Sequence, residues 1–213
     1  MVLAFAIVAF AQGPAPTLDT TDVPYQVRYA ANLQFGDSYI DLVNDGALVD
    51  LQGGPGIVVP NGNICANVYA FDPAEEMVSC CSCNITPDQA KSLSVKIDIL
   101  SNTATGVVPT SLTIKLLATL AGPSGSSSSC TNAAASVNTA IIVVGLAAWG
   151  TTLHATPVAG TYATTETPFT PATLSTGEVA SLANRCSNII GNLSGFGICA
   201  SCQNGALGGS KMQ

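Results

Sequence analysis

Three of the chain's eight cysteines fall within four residues, Cys80-Cys81-Ser82-Cys83, and no other feature of the sequence restricts the fold as much. Successive side chains of an extended strand point to opposite faces. Cys80 would then look away from Cys81 and Cys83, and the three would need different partners. The others are Cys65, Cys130, Cys186, Cys199 and Cys202. An even cysteine count in an exported protein reads as a disulfide framework. Spacing does not choose among the pairings, although nearness in sequence favours Cys186 with Cys199 or Cys202. Zinc is the competing reading, because Cys65 with the triple cluster, or Cys186 with Cys199 and Cys202, could supply thiolates. Zinc ribbons usually pair two CxxC units, and only Cys199-Ala200-Ser201-Cys202 is present. That CxxC lies in a Gly-rich tail, whereas thiol oxidoreductases place theirs at a helix N-terminus. Disulfides are therefore expected at all eight positions, with no metal and no cofactor.

Residues 1–11, MVLAFAIVAFA, form an apolar run ending in Ala9-Phe10-Ala11. This matches the apolar region and small-x-small cleavage site of a secretory signal peptide, although no Lys or Arg precedes it. The run is too short to span a bilayer as a helix, which needs about 20 apolar residues. The expectation is a secreted protein, extracellular or at the cell surface, that begins near Gln12 and has no membrane span in its mature form. Were the run retained, Val2, Leu3, Phe5, Ile7, Val8 and Phe10 would form a candidate intersubunit strand, to be buried on another copy. Residues 12–24 read as an extended, Pro-rich lead-in or donor strand, and residues 25–213 as a single β-rich domain.

Charged residues make up 9% of the chain, against about 25% in an average domain. Much of the surface must then be Ser, Thr, Asn, Gly and apolar side chains. The net charge is −7, and the six basic residues are scattered. Nucleic-acid binding needs clustered Lys and Arg, so nucleic acid is excluded as a partner. The same surface is unsuited to anionic membranes.

Short alternating runs dominate the middle of the chain. Strands are expected at Tyr25 to Leu33, Ser38 to Val43, Ile57 to Val59, Ile64 to Phe71 and Leu112 to Leu120. The clearest is Leu93 to Leu100, with Leu93, Val95, Ile97 and Ile99 on one face. Asn44-Asp45-Gly46 signals a hairpin returning through Ala47 to Leu51. A Ser-rich flexible stretch, Gly122 to Ser129, interrupts the fold. Thr139 to Trp149 is continuously apolar, which predicts a strand buried on both faces. Ser175 and Glu178 form a capping box for one helix carrying Val179, Leu182, Ala183 and Cys186. The fold class is all-β, an antiparallel sandwich of immunoglobulin-like or jelly-roll-like type, with one short C-terminal helix and disulfide staples.

Catalytic signals are sparse. His154 is the lone histidine, follows a strand-like run from Trp149 to Leu153, and has no nucleophile elbow beside it. Asp72, Glu75, Glu76, Glu166 and Glu178 are candidate carboxylates for glycoside hydrolysis, but Glu178 is explained by capping and Asp72 to Glu76 by a solvated turn. Asp37, Asp41, Asp45 and Asp50 lack the calcium-loop pattern. Trp149, Tyr69, Phe71, Tyr162 and Phe169 could line a sugar platform, although core packing explains aromatics more often. The chain is not expected to be an enzyme.

The string from Asn63 to Pro73, NICANVYAFDP, precedes Glu75-Glu76 and the Cys80-Cys81-Ser82-Cys83 cluster. Ala148-Trp149-Gly150-Thr151-Thr152 and Thr165-Glu166-Thr167-Pro168-Phe169 follow later. Together these resemble a group of uncharacterised secreted bacterial proteins that share a Cys-Cys-x-Cys motif. The resemblance spans most of the chain beyond the leader and implies export and a shared fold, with no activity or site to carry over.

These readings lead to an extracellular structural subunit that assembles with copies of itself into a filament or pilus-like polymer, by donor-strand addition from its N-terminus. The alternative is a monomeric adhesin or carbohydrate-binding module for surface polysaccharide.

Overall fold

A computed structural model describes residues 23–48, 62–121, 130–136, 142–200 and 203–204. Two antiparallel sheets form the body of the fold. In the first, β4 (Met77–Ile85), β3 (Ile64–Phe71), β6 (Leu112–Leu120), β1 (Tyr25–Ala30) and β9 (Thr170–Pro171) lie side by side in that order. In the second the order is β10 (Gln203–Asn204), β5 (Ala90–Ser94), β2 (Ser38–Asn44), β7 (Leu146–Ala155) and β8 (Tyr162–Pro168). One helix, α1 (Thr176–Gly191), follows β9. The expected antiparallel β fold with a single C-terminal helix and disulfide staples is what the chain adopts.

The period-2 alternation builds the core. Ile40 and Leu42 of β2, Ile114 and Leu116 of β6, Ala66 and Val68 of β3, and Leu146 of β7 are all within 1% of complete burial and join one cluster with both sheets contributing. The first sheet is buried on its outer face as well. Tyr25, Tyr69, Phe71 and Leu117 there pack against Leu182, Cys186 and Ile189 of α1. This is why every residue of β3 is buried.

β4 carries the cysteine cluster with the expected alternation. Cys80 points outward to α1 and bonds Cys186, while Cys81 points into the core and bonds Cys199. Cys65 bonds Cys130. Cys83 is disulfide-bonded too, and Cys202 lies outside the described residues. The expected Cys186 link to Cys199 or Cys202 is overturned. Helix α1 lies across the outer face of β4, and the chain then turns back along its edge, so sequence neighbours end on opposite faces. Among the described cysteines, the thiolates proposed for zinc are consumed in disulfides.

Several local expectations change. Gly46 adopts φ +81 and its N–H bonds the Asn44 side chain, so the turn chemistry is present. No hairpin follows from it: β2 pairs with β5 and β7, Ala47 and Leu48 lie in a turn, and residues 49–51 lie outside the described part. Ile57 to Val59 and Gly122 to Ser129 also lie outside it. Strand β5 ends at Ser94, and Val95–Ile99 forms a single π-helical turn in which the Leu100 N–H bonds Val95 O at 2.9 Å. Ile97, expected inside, is 57% exposed. Asp98 closes the turn by accepting the Ser94 N–H, and Ser94 Oγ accepts the Ile97 N–H. Such local side-chain bonds compete with a strand ladder. Strand β7 begins only at Leu146, after Gly145 at φ +102, and one face of it is half-buried. At α1 the cap is half formed: Ser175 Oγ accepts the Glu178 N–H, but the Glu178 carboxylate reaches Lys115 and Tyr25.

Candidate interaction surface

A sheet edge offers unpaired backbone groups to another chain unless something covers it. By strand order the four edges are β4, β9, β10 and β8; β4 is bordered at Cys80, and β9 and β10 are two-residue strands that shield parts of β1 and β5. The chain after α1 runs beside β4, with Cys80 N–H donating to Gly197 O and Cys199 N–H to Cys80 O. Strand β9 lies on β1, and β10 lies on β5. The fourth edge, β8, has no neighbour beyond β7 among the described residues, and all seven of its residues are exposed.

The register assigns the direction of its backbone groups. Trp149 faces Pro168 and Ala155 faces Tyr162. Phe169 N–H donates to Ala148 O, and Thr156 N–H to Thr161 O. Antiparallel strands alternate bonded and non-bonded positions. Ala163, Thr165 and Thr167 therefore bond β7, while Tyr162, Thr164 and Glu166 present their N–H and C=O groups outward. Pro168, which has no N–H, occupies an outward position, where proline is tolerated in a strand.

Arg28 fixes this arm from the other sheet. Its guanidinium donates to Thr167 O and Thr167 Oγ1 and to Thr152 Oγ1, and it lies 6.0 Å from the Phe169 ring. Gly150 makes room for it, since a Cβ there would land on the guanidinium. No sequence signal singles Arg28 out, because its partners come from strands more than a hundred residues away.

The other candidate residues are scattered or engaged. A surface pocket of about 340 Å³ gathers Asp72, Glu75 and Glu178 around Phe71, Lys115 and Arg185. Lys115 Nζ lies 2.6 Å from Glu178 Oε1 and 4.8 Å from the Phe71 ring centre. Arg185 donates to Glu75 O, and Asp72 accepts the Ala74 and Glu76 N–H groups. Glu76 is exposed outside this pocket and Glu166 sits in β8. His154 meets Thr165 Oγ1 at 3.0 Å on the exposed arm. Asp37 binds the β5 end through Ser94 Oγ and the Lys96 N–H, Asp41 is bonded by Ser92 and Thr151, and Asp45 caps the Ala47 N–H. Asp50 lies outside the described residues, as do Val2, Leu3, Phe5, Ile7, Val8 and Phe10. Among the described residues no three metal-ligating side chains converge. Tyr69, Phe71 and Phe169 are buried and Trp149 half-buried, with Tyr162 alone of the five exposed. No helix among the described residues is long and apolar enough to cross a membrane.

Burial pushes the Tyr25 phenol up, with the charge and hydrogen bond of Glu178 adding to it. Burial likewise raises Tyr69, helped by Tyr25. Both folded values exceed the unfolded one, so above about pH 10 the unfolded chain holds fewer protons and stability falls. Two such groups give a slope approaching ~2.7 kcal/mol per pH unit. Denaturation midpoints measured from pH 8 to 11 should be flat and then drop above pH 10, less steeply in Tyr69→Phe. An unchanged slope in that variant would remove Tyr69 from the account.

No protein-family model, curated protein or solved structure matches this chain.

Proposed function

We propose that this protein is an extracellular structural subunit that polymerises with copies of itself into a filament or pilus-like surface polymer, by strand addition. The observation that carries the reading is the β8 edge, which has no neighbour beyond β7 among the described residues and is exposed over all seven of its residues. Strand addition supplies affinity through main-chain hydrogen bonds and needs no particular side chains on the edge. Natural proteins protect a free edge with charged side chains, proline, a bulge or a covering loop; β8, YATTETP, carries one charge, Glu166, and one proline, at its end, and leaves Tyr162 and Thr164 open. Several disulfides and a charge of 9% suit an oxidising, extracellular setting. The N-terminal segment supplies the added strand: residues 1–11 where they are retained, and otherwise the lead-in of residues 12–24.

Electron microscopy of the secreted full chain, kept free of reductant, tests this. Regular filaments are the expected result. Dispersed single particles at every concentration tried would sink the reading and turn attention to glycan binding.

A further inference from the structure

Charge is scarce in this chain and unevenly placed. The protein has six basic and thirteen acidic residues. Two of the first, Lys115 and Arg185, and three of the second, Asp72, Glu75 and Glu178, line a single surface pocket of about 340 Å³. Phe71, Thr113 and Ser181 complete its wall. That volume falls at the lower end of the range for small-molecule sites, about 300–1,000 Å³, and convergent polar groups in a concavity are what such sites use to orient a ligand.

Three parts of the fold build the pocket. Phe71 of β3 faces Thr113 of β6, and Lys115 follows Thr113 on the same face of its strand. Glu178, Ser181 and Arg185 fall at helical spacing on one side of α1. The turn after β3 supplies Asp72 and Glu75, and Arg185 Nη1 donates to Glu75 O at 2.7 Å, which ties the turn to the helix. Glu75 sits at φ +66, where glycine would be the easier occupant. Backbone strain of this kind clusters at ligand sites. Both cations lie over the buried Phe71 ring, Lys115 at 4.8 Å and Arg185 at 5.7 Å from its centre.

The polar groups are only partly engaged with one another. Glu178 Oε1 accepts from both Lys115 and Tyr25, and Asp72 Oδ1 accepts two backbone N–H groups. The second oxygen of each carboxylate has no partner among the described residues, and Lys115 commits one of its three ammonium N–H groups. An anionic ligand would meet three carboxylates here, and an ammonium would meet two cations. A neutral polyol meets neither penalty, because each hydroxyl both donates and accepts. We propose that this pocket binds a neutral pyranose, with Lys115 and Arg185 donating to sugar oxygens and Asp72, Glu75 and Glu178 accepting from sugar hydroxyls. The site shares no residue with β8 and does not depend on assembly.

Saturation-transfer NMR on sugars added to the full chain tests this, and it reads binding to dispersed and assembled protein alike. The probes are the methyl glycosides of glucose, galactose and mannose. At least one should show saturable transfer. Methyl glucuronoside, which carries a carboxylate, and glucosamine, which carries an ammonium, should bind at least tenfold more weakly. Arg185→Gln and Glu75→Gln change exposed residues and should each weaken binding of the neutral sugar at least tenfold in a folded chain. Glu166→Gln, on β8, should bind as the wild type does. No saturable transfer to any of the three neutral glycosides would overturn the inference. So would wild-type affinity in either folded pocket variant, or a charged sugar that binds as tightly as the neutral one.

Discussion

Replacing Cys65 and Cys130 together with alanine should cost more stability than the same change at Cys80 and Cys186, although the second pair spans 106 residues and the first only 65. A disulfide stabilises mainly by restricting the unfolded chain, and the effect grows with the ring it closes. For Cys65–Cys130 no other bond between described cysteines shortens the path, so the ring is the full sequence separation and the loss is about 4 kcal/mol. Cys80–Cys186 is different. Cys81–Cys199 begins one residue later and already ties the same distant stretches together. With that bond intact, losing Cys80–Cys186 releases only a ring of roughly 15 residues, about 3 kcal/mol. All four cysteines are buried, and the ranking follows from ring size alone. Denaturant midpoints of the two double variants measure this directly. Equal losses, or a larger one at Cys80 and Cys186, would mean that ring closure does not govern how these staples act.

That ranking depends on connectivity, which the sequence did not contain, yet the strand geometry behind it was readable. Alternation put Cys80 and Cys81 on opposite faces of β4 before any partner was known, and each found its partner on the expected side. The runs ending at Phe71 and Leu120 were equally legible, because their apolar residues repeat at period 2 and face a core that both sheets share. Ser175 signalled the start of α1 through chemistry confined to three neighbouring residues. The π turn at Val95–Ile99 comes from local bonds of Ser94 and Asp98, whereas other departures come from distant partners. Asn44-Asp45-Gly46 carries a hairpin signal, but the Asn44 amide donates to Gly62 O and Ile85 O, which draws β2 into a sheet whose neighbours lie far along the chain. The exposed β8 edge was hidden for the same reason. Arg28 is an ordinary strand arginine until β7 and β8 are placed across from it.

Asp98 offers the sharpest separation between the alternation pattern and the local structure. In an unbroken strand from Leu93 to Leu100 it would be a solvent-facing residue, and its replacement by alanine would change stability by no more than about 0.5 kcal/mol. Instead Asp98 is 3% exposed, and its Oδ2 accepts the N–H of Ser94, itself 2% exposed, at 2.7 Å. The same turn is held from outside by Asp37, which accepts from Ser94 Oγ and from the Lys96 N–H. Asp98→Ala leaves a buried N–H without its charged acceptor, and hydrogen bonds of that kind carry the larger penalties when one partner is lost. The expected cost is about 3 kcal/mol, read as a lower denaturation midpoint with an unchanged slope. Asp98→Asn keeps an acceptor oxygen and should cost about half as much. A neutral Asp98→Ala variant would mean that the stretch behaves as the plain strand its alternation describes, and that the carboxylate at the centre of the turn does not hold it.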